Sequence, residues 1–225
     1  MIPKKYKGLH KGEAAVLFAT GPTLDDFSFD LIPENNFKTI GVNSILYRNI
    51  NLDYYFCAQD PSKEKNHKHE DLEKKDPLFQ RILKIKNKTQ IFCADGYKEE
   101  NLSHQKHKEF FSETERKKMN AETYSLTHNL RFKEDLSQCS LFNYSIVFPA
   151  VQFSMYCGFS KVYLVGCDCG GGGSYIKKTC KNPTLNGFAK KWVQIKYFRD
   201  KLFKETELIS INPIGLKDVF PYISN

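Results

Sequence analysis

The segment VFPAVQFSMYCGFSKVYLVGCD, residues 147–168, constrains the fold more strongly than any other part of the chain. Its first half has the length and the apolar density of a buried helix, and Gly158 is well placed to end that helix. Lys161 to Asp168 is a nearly continuous apolar run, which is typical of a strand covered on both faces. A buried helix that leads directly into a buried strand predicts an α/β protein.

Shorter apolar runs along the rest of the chain predict further strands. They lie at residues 13–20, 38–46, 52–62, 89–96 and 206–213, while a spacing of three and four residues predicts a helix over 185–205. Strands that alternate with helices predict one three-layer, Rossmann-like α/β domain over residues 1–225, with a mainly parallel sheet flanked by helices. Periodicity is weakest at about 97–143, where we expect a polar, lid-like insertion.

Charge and composition limit the partners that the chain can have. The 225 residues carry a net charge of +8, which favours phosphorylated sugars, nucleotides, acidic glycans or a phospholipid surface. Nucleic acid is not expected, because no recognised binding motif is present. No apolar stretch approaches the roughly 20 residues needed to cross a bilayer. We therefore expect a cytoplasmic protein, with peripheral association at the inner membrane as an open alternative.

Cysteines and histidines form no recognisable metal or catalytic site in the sequence. The seven cysteines are odd in number and lie mostly in apolar runs, which is unlike a disulfide framework. Cys167 and Cys169, with Cys180, lack a fourth ligand at zinc-binding spacing. The six histidines lie in polar surroundings, away from the predicted strand ends, and none is an obvious general base. We expect no resident metal.

Polar residues follow several predicted strands, and in parallel sheets ligands bind beyond the carboxyl ends of the strands. The turn at residues 20–23 lacks a P-loop or dinucleotide motif, but it can place amides where phosphate is favoured, or be only a tight turn. Asn43 can donate to and accept from a base or ribose, and Asp60 can accept from a sugar hydroxyl or hold a divalent ion. Each of the two is equally suited to forming a turn.

Together these strand ends match a family pattern. The order GPTL, GVNS and AQDPS after the first three strands, then the helix–strand unit at 147–168 and ISINPIGLKDVF, resembles a bacterial glycosyltransferase superfamily. That superfamily includes the family 42 sialyltransferases, the motility-associated-factor transferases and the MptE-like proteins. The resemblance covers most of residues 14–220 and is weakest between about 63 and 143.

The resemblance implies roles for individual residues. The donor phosphate would lie in the turn at residues 20–23, the nucleotide near Asn43 and the end of the predicted strand at 161–168, and the donor sugar or phosphate near Asp60. The implied nucleotide- and donor-binding residues are Thr20, Gly21, Pro22, Thr23, Asn43, Asp60, Ser145, Gly166, Asp168 and Tyr175. Asp60 and Tyr175 are the catalytic candidates, since a phenol near the leaving phosphate would stabilise its developing charge.

The sequence also departs from the sialyltransferases. Phe188 stands where they carry a histidine base, Gly170 replaces a phosphate-binding tyrosine, and Ile146-Val147 replaces a Ser-Gly pair. We expect a transferase that uses a nucleotide-activated sugar, CMP-linked, to build a bacterial surface glycan on a glycan or lipid-linked acceptor.

Two alternatives to this function remain open. One is a magnesium-dependent pyrophosphokinase of the MptE-like type, with Asp60, Asp95 or Asp168 as metal ligands. The other is a non-catalytic nucleotide-binding module, which the missing histidine makes credible. No cofactor is expected except magnesium under the first alternative.

Overall fold

The structure is a computed structural model that describes residues 1–58, 78–97, 111–127, 133–143, 145–169 and 185–224. Of residues 96–97 and 185–188 it describes the backbone alone.

A single sheet forms the centre of the described protein, and all of its neighbouring strands run parallel. The spatial order is β6-β5-β4-β3-β2-β1-β7-β8-β9. In chain order the strands are β1 (Ala14–Phe18), β2 (Phe37–Val42), β3 (Tyr54–Cys57), β4 (Gln90–Tyr97), β5 (Glu122–Thr127), β6 (Leu141–Phe142), β7 (Lys161–Val165), β8 (Glu207–Ile211) and β9 (Tyr222–Ile223). The predicted α/β architecture with a parallel sheet is confirmed.

Four α-helices occur in the described ranges: α1 (Leu78–Ile85), α2 (Glu113–Met119), α3 (Val147–Cys157) and α4 (Leu185–Leu202). Short 3₁₀ helices follow β1 at Pro22–Asp26 and β2 at Asn43–Tyr47. No helix in these ranges is both long enough and apolar enough to span a bilayer.

The helix–strand unit has the predicted form. Every residue of α3 is buried, and Pro149 is tolerated because it lies in the first turn, where its missing N–H loses no helical bond. The helix ends at Gly158, whose φ of 81° is left-handed and whose N–H donates to the Met155 carbonyl. The chain then enters β7, which is buried beyond Lys161.

Apolar side chains cover both faces of the sheet, so the domain has three layers. Ala15 and Leu17 of β1 pack on the face that α3 and the α4 residue Trp192 cover. Val16 and Phe18 face the other side, in the layer that includes α1. Since β1 is buried on both faces, its run of apolar residues lacks the alternation of a half-exposed strand.

Part of the region expected as a lid-like insertion, about 97–143, belongs to the sheet. It contains α2, and β5 and β6 extend the sheet beyond β4. Tyr124 and Leu126 are fully buried, which gives this polar stretch enough apolar surface to join the core. β5 and β6 are thus strands of the sheet rather than parts of a lid; residues 98–110 and 128–132 lie outside the described ranges.

Candidate functional site

The strand order changes direction between β1 and β7, which makes the carboxyl end of this pair the candidate ligand crevice of the sheet. From β1 the chain builds β2 to β6 on one side, whereas β7 begins the other side with β8 and β9. Phe18 and Val165 are register partners at the carboxyl ends of the two strands. The loops that follow therefore leave in opposite directions, which is the arrangement that opens ligand crevices in parallel sheets.

The loops after β1 and β7 approach each other through glycines. The Gly21 amide donates to the Gly166 carbonyl at 2.8 Å, and Gly166 has a left-handed φ of 67°. A Cβ on Gly166 would lie 2.8 Å from the Ala19 carbonyl oxygen, and one on Gly21 would overlap Asp168. The two loops can lie this close together only because both positions are glycine and carry no Cβ.

Asp168 joins the same loops by its side chain. Thr23 donates its amide to Oδ2 of Asp168 at 2.9 Å and its hydroxyl to Oδ1. The carboxyl group is only 5% exposed. Burial raises the pKa of Asp168, the hydrogen bonds from Thr23 lower it, and the nearby Asp26 raises it, with a net increase. The aspartate therefore fixes the turn after β1 to the end of β7.

This arrangement leaves the turn with few donors for a phosphate. The amides of Gly21 and Thr23 are already bonded, and Pro22 has no N–H. The next amide, that of Leu24, donates to the Gly21 carbonyl. Thr20 is half-buried and makes no hydrogen bond to the other described residues. Among residues 20–23, Thr20 is therefore the one whose amide and hydroxyl have no hydrogen-bond partner within the described ranges.

Asn43 stands at the carboxyl end of β2, one strand away from the crevice. Its φ of 46° is left-handed, a strained conformation that asparagine tolerates better than most residues. Its carbonyl accepts a 2.7 Å hydrogen bond from the Tyr55 hydroxyl, which is fully buried. The side-chain Oδ1 is buried and has no partner among the described residues. Such an orphaned acceptor suits a ligand that donates a hydrogen bond.

Ser145 lies at the same edge of the sheet. Because α3 connects β6 to the parallel strand β7, it returns along the sheet and begins at the carboxyl edge. The Ser145 carbonyl accepts from Phe148 in the first turn of α3, and the residue is half-buried. The two catalytic candidates, Asp60 and Tyr175, lie outside the described residues, as do the Gly170 position and the Phe188 side chain.

The proposed magnesium ligands are spread along the sheet. Asp95 lies on β4, which four strand spacings separate from β7, roughly 19 Å. Asp95 and Asp168 therefore cannot share one ion, and Asp60 lies outside the described residues. Among those that are described, no three carboxylate, thiol or imidazole groups come together as a metal site.

Two cysteines lie near the crevice, and Cys167 is buried whereas Cys169 is half-buried. Burial raises the pKa of Cys167, and it raises that of Cys169 to about 11 despite a hydrogen bond with the Trp192 side chain. Cys180 lies outside the described residues.

The prediction that the histidines lie in polar surroundings is wrong for His10. This residue is 7% exposed, stacks on Phe159 and hydrogen bonds through Nε2 to the Tyr54 hydroxyl at 2.5 Å. Tyr54 opens β3, so His10 lies at the amino edge, opposite the crevice. The other five histidines lie outside the described residues.

Asn212 is a residue at the site edge that the sequence reading missed. It follows β8, has a left-handed φ of 47° and donates through Nδ2 to the Asp26 carbonyl. Gly215, in the loop beyond it, donates its amide to the Asp168 carbonyl at 2.8 Å. The signal was available, because Ile211-Asn212 repeats the strand-then-asparagine pattern of Val42-Asn43.

Comparison with known proteins gives a likeness of fold. A crystal structure of the sialyltransferase CST-II in complex with a trisaccharide acceptor and CMP matches 93% of this chain and 86% of its own, with 14% identity and a TM-score of 0.50. A structure of CstII from Campylobacter jejuni with the substrate analogue cytidine-5'-monophosphate matches 94% and 85%, with the same identity and TM-score. No protein-family model and no curated protein matches the chain. The chain shares the Rossmann-like fold of these sialyltransferases.

Proposed function

We propose that the chain is a glycosyltransferase that uses a CMP-linked sugar to extend a bacterial surface glycan, in the cytoplasm or at the inner membrane. The shared fold supports this, since the two similar sialyltransferases are described with CMP and one with a trisaccharide acceptor. The crevice between β1 and β7 supports it as well, because nucleotides bind at such switch points.

The buried Oδ1 of Asn43 is the observation that carries the proposal. An acceptor left unpaired costs about 1–3 kcal/mol, and a ligand that donates a hydrogen bond there recovers that cost. The exocyclic amine of cytosine and a ribose hydroxyl are donors of this kind. Asn43 stands one strand from the crevice, so a nucleoside can reach it while its phosphate lies by Thr20.

The reaction in this proposal is a displacement at the anomeric carbon of the sugar. The acceptor hydroxyl forms the new C–O bond and gives its proton to a base, while the bond to the CMP phosphate breaks and CMP leaves with the electron pair. Tyr175 would donate to the leaving phosphate and Asp60 would lie near the donor sugar or phosphate. Asp168, held by Thr23, would keep the turn after β1 in place beside the nucleotide.

Substitution of Asn43 by glycine tests the nucleotide site. Glycine adopts the left-handed φ freely, so Asn43→Gly should fold normally while it removes the orphaned acceptor. We expect CMP to raise the melting temperature of the wild type without added metal, and to bind the variant about tenfold or more weakly. Thermal-shift titration with CMP, CDP, UDP, GDP, AMP and ATP, each with and without magnesium, measures this.

Asn120→Gly is the matched control, since Asn120 has a φ of 51° but is exposed at the end of α2. It should retain the full response to CMP. Stabilisation only by ATP with magnesium would replace the proposal with the pyrophosphokinase alternative. If the chain binds CMP but releases no CMP from a CMP-linked sugar when acceptor glycans are present, it is a non-catalytic nucleotide-binding module.

A further inference from the structure

α4 and the two residues after it carry a surplus of positive charge. Residues 190–204 include six lysines and arginines and one acidic residue, a net charge of +5. Asp200, the acidic residue, is paired with Lys196 at 2.8 Å and with Arg199 at 2.9 Å. Lys190, Lys201 and Lys204 make no ion pair with the described residues.

The same helix exposes two large apolar side chains. Val193 is 54% exposed and Tyr197, one turn later, is 52% exposed, whereas Trp192 and Ile195 on the opposite side are buried in the core. Lys201 lies over the Tyr197 ring, 4.4 Å from its centroid. The outward side thus has an aliphatic and an aromatic centre within a rim of lysines, which we term the α4 basic face: Lys190, Val193, Lys196, Tyr197, Lys201 and Lys204.

We propose that the α4 basic face docks on an anionic phospholipid membrane. A bilayer interface matches both parts of the face: its headgroups attract the lysines, and the boundary of its acyl chains takes up Val193 and the Tyr197 ring. A soluble polyanion would satisfy only the charges. The face is small, so its binding is peripheral and depends on salt.

The position of α4 gives this docking a role at the site, and this step rests on the proposed function. Because α4 joins β7 to the parallel strand β8, it begins at the carboxyl edge of the sheet, where the crevice lies. A membrane against α4 would therefore run beside the crevice. A lipid-linked glycan acceptor could then reach the donor sugar without leaving the bilayer.

Vesicle co-sedimentation of the full chain tests the charges of the face. Binding should be strong to vesicles of phosphatidylcholine mixed with phosphatidylglycerol, weak to phosphatidylcholine alone, and lost at high salt. Replacement of Lys190, Lys201 and Lys204 by glutamine should weaken binding about a hundredfold, roughly fivefold for each lysine. The control replaces the exposed Lys4, Lys7 and Lys11, near the amino edge, with the same change of net charge and little effect.

Tyr197→Ser tests the apolar centre, with Tyr222→Ser as its control because Tyr222 is 51% exposed on β9. Only the first should reduce binding. The proposal would be overturned if test and control variants lost equal amounts of vesicle binding, or if the wild type bound neutral vesicles equally well. Self-association through α4 in sedimentation would overturn it too. CMP stabilisation should be unchanged in every α4 variant, so that a failure here and a failure of the proposed function give different results.

Discussion

Asp168 occupies the point where the sequence reading expected direct contact with the nucleotide, but its carboxylate already accepts two hydrogen bonds from Thr23. The group is almost fully buried, so little of it is left for a ligand to touch. We therefore interpret it as a residue that positions the turn after β1. Burial opposes ionisation of this carboxyl group and raises its pKa, so the stability of the protein should depend on pH through Asp168.

Substitution of Asp168 by asparagine should raise stability at neutral pH. The carboxyl pKa is higher in the folded than in the unfolded chain, so the free energy of unfolding falls as pH rises from about 3.9 through the raised value. Asparagine keeps an acceptor for the Thr23 amide without the buried charge, and its advantage should vanish in acid. Urea unfolding at a series of pH values measures this.

Asp218→Asn, at an exposed position, is the control for the loss of one carboxylate and should change stability at neutral pH much less than Asp168→Asn. An Asp168→Asn variant that is less stable than the wild type at neutral pH would show that the charged hydrogen bonds from Thr23 outweigh the cost of burial.

The sequence analysis identified Thr23 and Asp168 but not their contact. Thr23 lies in the turn after one predicted strand and Asp168 ends another, so both could be assigned to the carboxyl edge. Their pairing joins residues 145 positions apart, and it depends on β1 and β7 being neighbours. Strand order is a property of the folded sheet, and nothing local in the sequence encodes it.

At the level of elements, local signals explain what was predicted and what was missed. α3 was predicted because its own sequence contains the signals for it, a dense run of apolar residues followed by Gly158. β6 and β9 have two residues each and exist only through hydrogen bonds to a neighbouring strand, so no pattern within them could predict them. β6 also depends on Gln152 of α3, which is 2% exposed and bonds both the amide and the carbonyl of Phe142.

Replacement of Gln152 by leucine should destabilise the protein, although the side chain is buried among apolar residues. The variant removes the two hydrogen bonds that Gln152 makes to the backbone of Phe142, at about 0.5–1.5 kcal/mol for each bond lost. Amide exchange at Leu141 and Phe142 should quicken, and urea unfolding should shift to lower concentrations.

Ser154→Ala is the control within the same helix, because the Ser154 hydroxyl only bonds the Ala150 carbonyl one turn earlier. It should cost much less and leave exchange in β6 unchanged. Equal effects of the two substitutions would refute the role of Gln152 as a clamp on the edge strand.

At the scale of the molecule, β1 and β7 form the seam between two groups of strands. Residues up to Phe142 build β1 to β6, and those from Lys161 build β7 to β9. α3 crosses this division, since its side chains share a core layer with residues of β1, β2 and β7. The proposed nucleotide site lies at the carboxyl end of the seam. Weaker packing between β1 and β7 should therefore lower both the free energy of unfolding and the affinity for the nucleotide.

Substitution of Gly166 by alanine tests whether the seam holds the sheet together as one cooperative unit. Gly8→Ala is the matched control: both glycines have φ near 67°, but a Cβ on Gly8 meets nothing within 4 Å, whereas one on Gly166 meets the Ala19 carbonyl. Both variants bear left-handed strain of about 1–3 kcal/mol, and Gly166→Ala should lose appreciably more stability than Gly8→Ala.

Urea unfolding can be followed by the fluorescence of Trp192, the one tryptophan, and by far-UV circular dichroism. The two unfolding curves should coincide in the wild type and in both variants. Fluorescence that changes at lower urea than circular dichroism would mean that the α4 side separates first along the seam, and that the sheet is two units rather than one.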